Sequence, residues 1–194
     1  MKKVGDEMIP LFKVAMHPDV TGEVEKTLLS GYIGQGPKVN EFENKLMAKL
    51  NCDNLITTNS ATSSTHLALS MIARLPVSKD WPGIQEGDEV LTTPLTCTAT
   101  NWPILANNMK IKWVDVDPNT CNLDITDLER KISEKTKVIL AVHWGGYPNK
   151  MDEIKRIQDV CYDKYGFRPA LVEDCAHSFG STYKGVSVGT QGSY

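Results

Sequence analysis

From residue 54 onward, two hydrophobic rhythms alternate along the chain. Short apolar runs rich in β-branched residues recur as NLIT (54–57), DEVLTT (88–93), IKWVDV (111–116), KVILAVH (137–143) and ALVED (170–174). They are near-continuous rather than alternating, as strands buried on both faces are. Between them, apolar residues fall at helical spacing over 65–75, 98–107, 126–132 and 151–165. Five strands alternating with four helices predict a three-layer α/β/α architecture on a mainly parallel sheet with right-handed crossovers. Two further helices precede this series. The first covers 19–30, with Pro18 suited to its first turn and Gly31 stopping it. The second covers 39–50, where Val39, Phe42, Leu46 and Leu50 share one face. GYIGQGP (31–37) is the loop between them, and STYKGVSVG (181–189) reads as a two-stranded excursion around Lys184-Gly185. The loop at 76–88 reads as an excursion, not a linker, so 1–194 is expected to form one large domain.

Composition narrows the function classes. With 41% hydrophobic and 23% charged residues, the 194-residue chain has the make-up of a globular protein. A net charge of −3 without any Lys/Arg block argues against a nucleic-acid or anionic-membrane partner. No apolar run approaches the ~20 residues of a membrane span, and MKKVGDEMIPLF lacks a signal-peptide core. The five cysteines (52, 97, 121, 161, 175) are widely spaced without a C-x-x-C pair. That pattern points away from a disulfide framework or structural zinc, and toward a cytoplasmic location.

Two segments carry candidate chemistry. TTNSATSSTHLAL (57–69) runs from a strand through a Ser/Thr-rich turn into a helix. Backbone amides at such a turn can approach an anion at the helix's positive end, with Thr62, Ser63 and Ser64 as added donors. The same residues also suit an ordinary helix N-cap. VEDCAHSFG (172–180) ends an apolar strand on two acids, a thiol and an imidazole. In a parallel sheet both segments reach the carboxyl edge, where ligands gather. Asp174 there calls for a cationic partner. An anion cradle facing a cation-seeking carboxylate describes a ligand with an anionic group and a protonatable ring, and pyridoxal 5′-phosphate has both. Three other readings stay open. Cys175, His177 and His143 can be taken as metal ligands, a Cys/His pair as a nucleophile, or Asp174 and His177 as a salt-bridged acid and a core histidine.

Six segments in order complete the picture: SGYIGQGPKVNEFE (30–43), NSATSSTHLAL (59–69), GDEVLTTPLTCTATNWPIL (87–105), WVDVDPNTCNLD (113–124), KTKVILAVHWGGYP (135–148) and VEDCAHSFGSTYKGVSVGT (172–190). Together they resemble the DegT/DnrJ/EryC1/StrS sugar aminotransferases, fold-type-I enzymes dependent on pyridoxal phosphate. Within that family the chain looks closest to enzymes aminating GDP-linked 4-keto-6-deoxyhexoses. The resemblance implies that Ala61, Thr62 and Ser63 hold the cofactor phosphate and that Asp174 pairs with the ring nitrogen. His177 would contact the phenolic oxygen or brace the ring. Cys97 stands where the family places a ring-stacking aromatic, and Tyr32 would serve the substrate site. It further implies a nucleotide-linked keto-sugar, an amino-acid donor (glutamate) and a homodimer sharing its active sites. The family's Schiff-base lysine would fall beyond Tyr194, as would its C-terminal small domain. The chain alone is then expected to be catalytically inactive, with Lys184 a poor substitute because YKG matches an outlying turn. A sugar 3-dehydratase of the same family and a non-catalytic accessory fragment are the alternatives.

Overall fold

The computed structural model describes residues 3–4, 7–8 and 13–193. Only a two-residue antiparallel pairing of β1 (Lys3–Val4) with β2 (Glu7–Met8) is seen near the start. The reading of residues 1–12 as lacking a signal-peptide core otherwise lies outside the described residues. The chain divides into two compact units, Met1–Lys49 and Leu50–Tyr194. In the first, α1 (Val20–Leu29) and α2 (Pro37–Leu50) carry no buried residue within the helices. Tyr32 sits in the loop between them, 63% exposed.

The second unit is built on one parallel sheet. Its strands are β3 (Glu89–Thr92), β4 (Lys110–Trp113), β5 (Thr136–Val142) and β6 (Ala170–Asp174), in the spatial order β4-β3-β5-β6. Every residue of β5 is buried, as its unbroken apolar sequence requires. The helices are α3 (Ala61–Arg74), α4 (Thr98–Ala106), α5 (Ile125–Lys131) and α6 (Met151–Tyr165). A hairpin of β7 (Thr182–Tyr183) and β8 (Val186–Ser187) follows, matching the excursion read around Lys184. Among the described residues no helix is long and apolar enough to cross a membrane.

Strand periodicity sorts the core into two layers. Val90, Val138, Leu140, Val142, Ala170 and Val172 pack with Leu69 and Ile72 of α3 and Ile104 of α4. Leu91, Ile139, Ala141 and Leu171 point the other way, against Leu128 of α5 and Ile154 and Ile157 of α6. Leu140 is fully buried at the centre. Leu140→Ala should therefore lower stability by about 2–5 kcal/mol in urea unfolding. Leu29→Ala, at a position 82% exposed, should change it by less than about 0.5 kcal/mol. Equal effects would show that the core has been misplaced.

One expected strand is corrected. Residues 54–57 are extended coil that joins no strand, so the sheet has four strands. Local β propensity alone does not make a strand here, and Ile56 stands 67% exposed. The coil delivers the chain to Ser60, the N-cap of α3.

The topology also explains where a ligand can sit. From β3 the chain steps one way to β4, then returns past β3 to β5 and on to β6. The helix layer changes face at the same reversal, which keeps the crossovers of one hand. Such a reversal opens a crevice at the carboxyl ends of the two strands where the order switches, here β3 and β5.

Candidate functional site

A cavity of about 180 Å³ lies at that switch point. Its walls come from four places: Ala61, Thr62 and Thr65 at the start of α3, Thr96, Cys97, Ala99 and Thr100 after β3, Val142 at the end of β5, and Asp174, Ala176 and His177 at and beyond the end of β6. Strand periodicity sends Asp174 here, since Ala170, Val172 and Asp174 share the α3–α4 face of β6.

The α3 end of the cavity is prepared for an anion. Ser60 caps the helix, and its Oγ accepts the Ser63 amide at 3.2 Å. Among the described residues the amides of Ala61 and Thr62 have no protein acceptor. Both residues face the cavity at the positive end of a 14-residue helix. Ser63 departs from the expected cradle. Its amide is spent on Ser60, its hydroxyl lies 3.1 Å from the Ser60 hydroxyl, and it does not line the cavity. This turn leaves two free amides rather than three, because the third serves the cap.

At the opposite end, each carboxylate oxygen of Asp174 takes one donor. The Ala176 amide donates to Oδ1 at 3.1 Å and the Thr100 hydroxyl to Oδ2 at 2.6 Å. A carboxylate has about four lone-pair sites, so acceptor capacity remains for a cation in the cavity. His177 is exposed at the rim, where the Gly145 amide donates to its Nδ1 at 3.3 Å. That bond assigns the ring proton of the neutral imidazole to Nε2, leaving a donor. The ring also meets Trp144 edge-on, with centroids 5.2 Å apart. Trp144–Gly146 forms a short 3-10 turn, and Gly146 has φ +86°, with only 3.0 Å from a would-be Cβ to the His177 carbonyl oxygen. Cys97 is the exposed N-cap of α4 and lines the cavity without capping the helix through its thiol. Tyr32 belongs to the first unit.

The other acid and the thiol of the VEDCAHSFG stretch are turned away. Glu173 lies on the α6 face of β6, where His143 Nε2 meets its Oε2 at 3.1 Å. His143 is fully buried, and its Nδ1 accepts the Asn149 amide at 3.0 Å, so Nε2 carries the proton and donates to Glu173. Glu173 also accepts the amides of Gly189 at 2.9 Å and Gln191 at 2.8 Å. Burial pushes its carboxyl up, but the bonds from His143 and the two amides outweigh this and hold it below the ordinary value. Cys175 joins these two, with ligand atoms all within 4.8 Å. Both imidazole nitrogens and the carboxylate are already committed to hydrogen bonds, and burial pushes the Cys175 thiol up to about 12. The metal reading that grouped Cys175, His177 and His143 also fails geometrically, since His177 sits with Trp144 and Gly145. The nucleophile reading fails with it, because the Cys175 thiol keeps its proton at neutral pH.

Thr96 and Thr100 are cavity-lining residues that the sequence did not single out. Their four-residue spacing just after a strand, in LTCTAT, was the available signal.

A doubly wound sheet with free helix N-terminal amides facing a carboxylate across its switch point defines a class of α/β domains. Residues 15–194 match the model of the DegT/DnrJ/EryC1/StrS aminotransferase family, and the chain belongs to that family. It is 46% identical to the sugar aminotransferase CalS13 from Micromonospora echinospora, with a TM-score of 0.85 over 95% of this chain and 47% of that one. The spore coat polysaccharide biosynthesis protein SpsC of Bacillus subtilis is 34% identical over 170 residues, 88% of this chain and 40% of that protein. The Escherichia coli GDP-4-keto-6-deoxy-D-mannose-3-dehydratase, solved with bound hydrated PLP, is 26% identical with a TM-score of 0.84, covering 94% of this chain and 44% of its own. The chain thus spans less than half the length of each of these relatives.

Proposed function

We propose that this chain forms the cofactor-binding part of a pyridoxal-phosphate-dependent sugar aminotransferase. The observation that carries the reading is the cavity with the free amides of Ala61 and Thr62 at one end and the Asp174 carboxylate at the other. These groups fit the cofactor's phosphate and its ring nitrogen. The amides and the α3 dipole bind the phosphate. Asp174 favours a protonated ring nitrogen, Cys97 offers a soft contact to a ring face, and the Nε2–H of His177 suits the phenolic oxygen. When bound, the cofactor supplies an electron sink for moving an amino group. Ser63 has a supporting role as part of the helix cap.

The proposed substrate is a nucleotide-linked 4-keto-6-deoxyhexose, with glutamate as amino donor, a homodimer as the assembly and Tyr32 at the substrate site. Likeness to a named sugar aminotransferase and to an enzyme named for a GDP-linked 4-keto-6-deoxy sugar supports this choice. The second of those relatives also motivates an alternative, a sugar 3-dehydratase, but at 26% against 46% identity. Product analysis separates the two, since one yields an amino sugar and the other a sugar lacking its 3-hydroxyl.

Equilibrium dialysis against pyridoxamine 5′-phosphate tests the cofactor reading, because that form makes no imine with stray lysines. Binding should be competed by inorganic phosphate. A chain that does not retain the compound, or retains it indifferently to phosphate, would overturn the reading.

Among the described residues, none that lines the cavity is a lysine. Lys184 pairs with Asp152 at 2.5 Å on the exposed hairpin, and that hydrogen bond raises its pKa, keeping the amine protonated. Pyridoxal phosphate followed by borohydride should therefore label several surface lysines of this chain without one dominating. Peptide mapping would check this, and a single dominant lysine among residues 50–193 would place the reactive amine inside this chain.

A further inference from the structure

We propose that Thr100, backed by Thr96, is a positioning residue for Asp174, orienting its carboxylate toward the ring nitrogen of the cofactor. This rests on the reading of the cavity as a pyridoxal phosphate site. Both threonines line the cavity, and Thr100 is 4% exposed. The Thr100 hydroxyl lies 2.6 Å from Asp174 Oδ2, across 74 residues of sequence. A carboxylate only accepts, so the single hydroxyl hydrogen of Thr100 points at Asp174. The contact between Thr96 and Thr100 at 2.8 Å must then run from Thr96 as donor to Thr100 as acceptor. The result is a directed chain from Thr96 through Thr100 to Asp174.

Two consequences follow from that direction. Donation to a charged acceptor is stronger than between neutral groups, and a donor that itself accepts a bond is polarised further. The chain also fixes the carboxylate plane, because Oδ1 is held by the Ala176 amide while Oδ2 is held from α4. The two anchors come from different elements, the turn after β6 and the first turn of α4, so neither alone sets the rotation. A carboxylate held this way presents its remaining lone pairs in one direction, which lowers the ordering cost of pairing with a ring N–H. Packing alone does not account for a threonine here, since valine fills the same volume.

The test compares the native chain with Thr100→Val, Thr100→Ser and Thr96→Val. Two probes are used: pyridoxamine 5′-phosphate, and its carbocyclic counterpart with a C–H in place of the ring nitrogen. Thr100→Val should weaken the first about tenfold, the effect of losing one bond to a charged group. Thr100→Ser should return it to within about twofold of native, and Thr96→Val should show a smaller loss of the same sign. All four proteins should bind the carbocyclic probe alike, because it has no ring nitrogen to pair with Asp174. Equal weakening of both probes by Thr100→Val would mean that Thr100 only packs, overturning the proposal. No weakening of either would overturn it as well, while leaving the cofactor reading intact. A native chain that fails to hold pyridoxamine 5′-phosphate would remove the cofactor reading and this inference with it.

Discussion

Glu173→Ala should cost about 2–4 kcal/mol of stability, the range for leaving a buried and a half-buried donor without their charged acceptor. The side chain is 2% exposed and receives three donors, from His143, Gly189 and Gln191. Alanine leaves the buried His143 N–H and the half-buried Gln191 amide without that acceptor, at about 1–3 kcal/mol each before relaxation, while the exposed Gly189 amide can turn to water. The lost bonds also join distant parts of the chain, since Gly189 and Gln191 follow the β7–β8 hairpin while Glu173 belongs to β6. Glu173→Gln keeps the volume and one acceptor oxygen but turns an NH2 group toward other donors, so roughly half the loss should remain. The pH dependence has a definite sign. The folded carboxyl lies below its ordinary value of 4.5, so its contribution is complete above that value. It fades as pH falls through the lowered folded value, where the proton is taken up. Urea unfolding at pH 7 and pH 4 checks both claims. Native protein should lose more stability on acidification than Glu173→Gln does, and equal losses would mean that Glu173 is not charged in the fold.

This clamp was half legible. The two acids ending an apolar run stood out in the sequence, but only Asp174 could be given a purpose. Strand periodicity separates them: Asp174 follows Val172 into the α3–α4 layer, and Glu173 follows Leu171 toward α6. What Glu173 grips becomes visible only when the chain beyond the hairpin folds back, a contact made 16 and 18 residues downstream. Elements with strong local signals were read closely. α6 runs Met151–Tyr165 as its amphipathic pattern implied, and Gly166 ends it in the left-handed region at φ +81°. β6 occupies Ala170–Asp174 as read.

Where competing local preferences met, the boundaries moved. The helix expected from 65 begins at Ala61, because a Ser/Thr run that reads as a turn can equally form a capped first turn. Ser60 tips that balance by accepting the Ser63 amide, and the same act leaves that amide unavailable to a ligand. At 54–57, β propensity did not suffice, and the segment is coil. Thr100 escaped notice for a related reason. Its hydroxyl gains meaning only from a carboxylate 74 residues away, and nothing in LTCTAT distinguishes a helix-start threonine from one that holds a charge.

Asp174→Asn should weaken pyridoxamine 5′-phosphate binding by about two to three orders of magnitude. Truncating or neutralising one member of a desolvated charge pair typically costs 2–5 kcal/mol, and each 1.4 kcal/mol is about tenfold. Asparagine keeps the shape and the oxygen that Thr100 or Ala176 can donate to, so the cavity wall stays in place. What disappears is the negative charge that favours a protonated ring nitrogen. The phosphate end should be indifferent to the change, because the amides of Ala61 and Thr62 belong to α3 and make no bond to Asp174. Affinity for inorganic phosphate, measured by its protection against a competing anion, should therefore stay within about twofold of native. Stability should fall by about 1 kcal/mol, since asparagine offers one oxygen to two donors and the Thr100 hydroxyl must turn to accept from its NH2 group. Calorimetric titration of both ligands on native and Asp174→Asn chains makes the comparison. If both affinities fall together, Asp174 supports the cavity as a whole rather than the ring nitrogen. If pyridoxamine 5′-phosphate binds unchanged, the carboxylate does not face the ring, and assigning the two ends of the cavity to the phosphate and the ring is wrong.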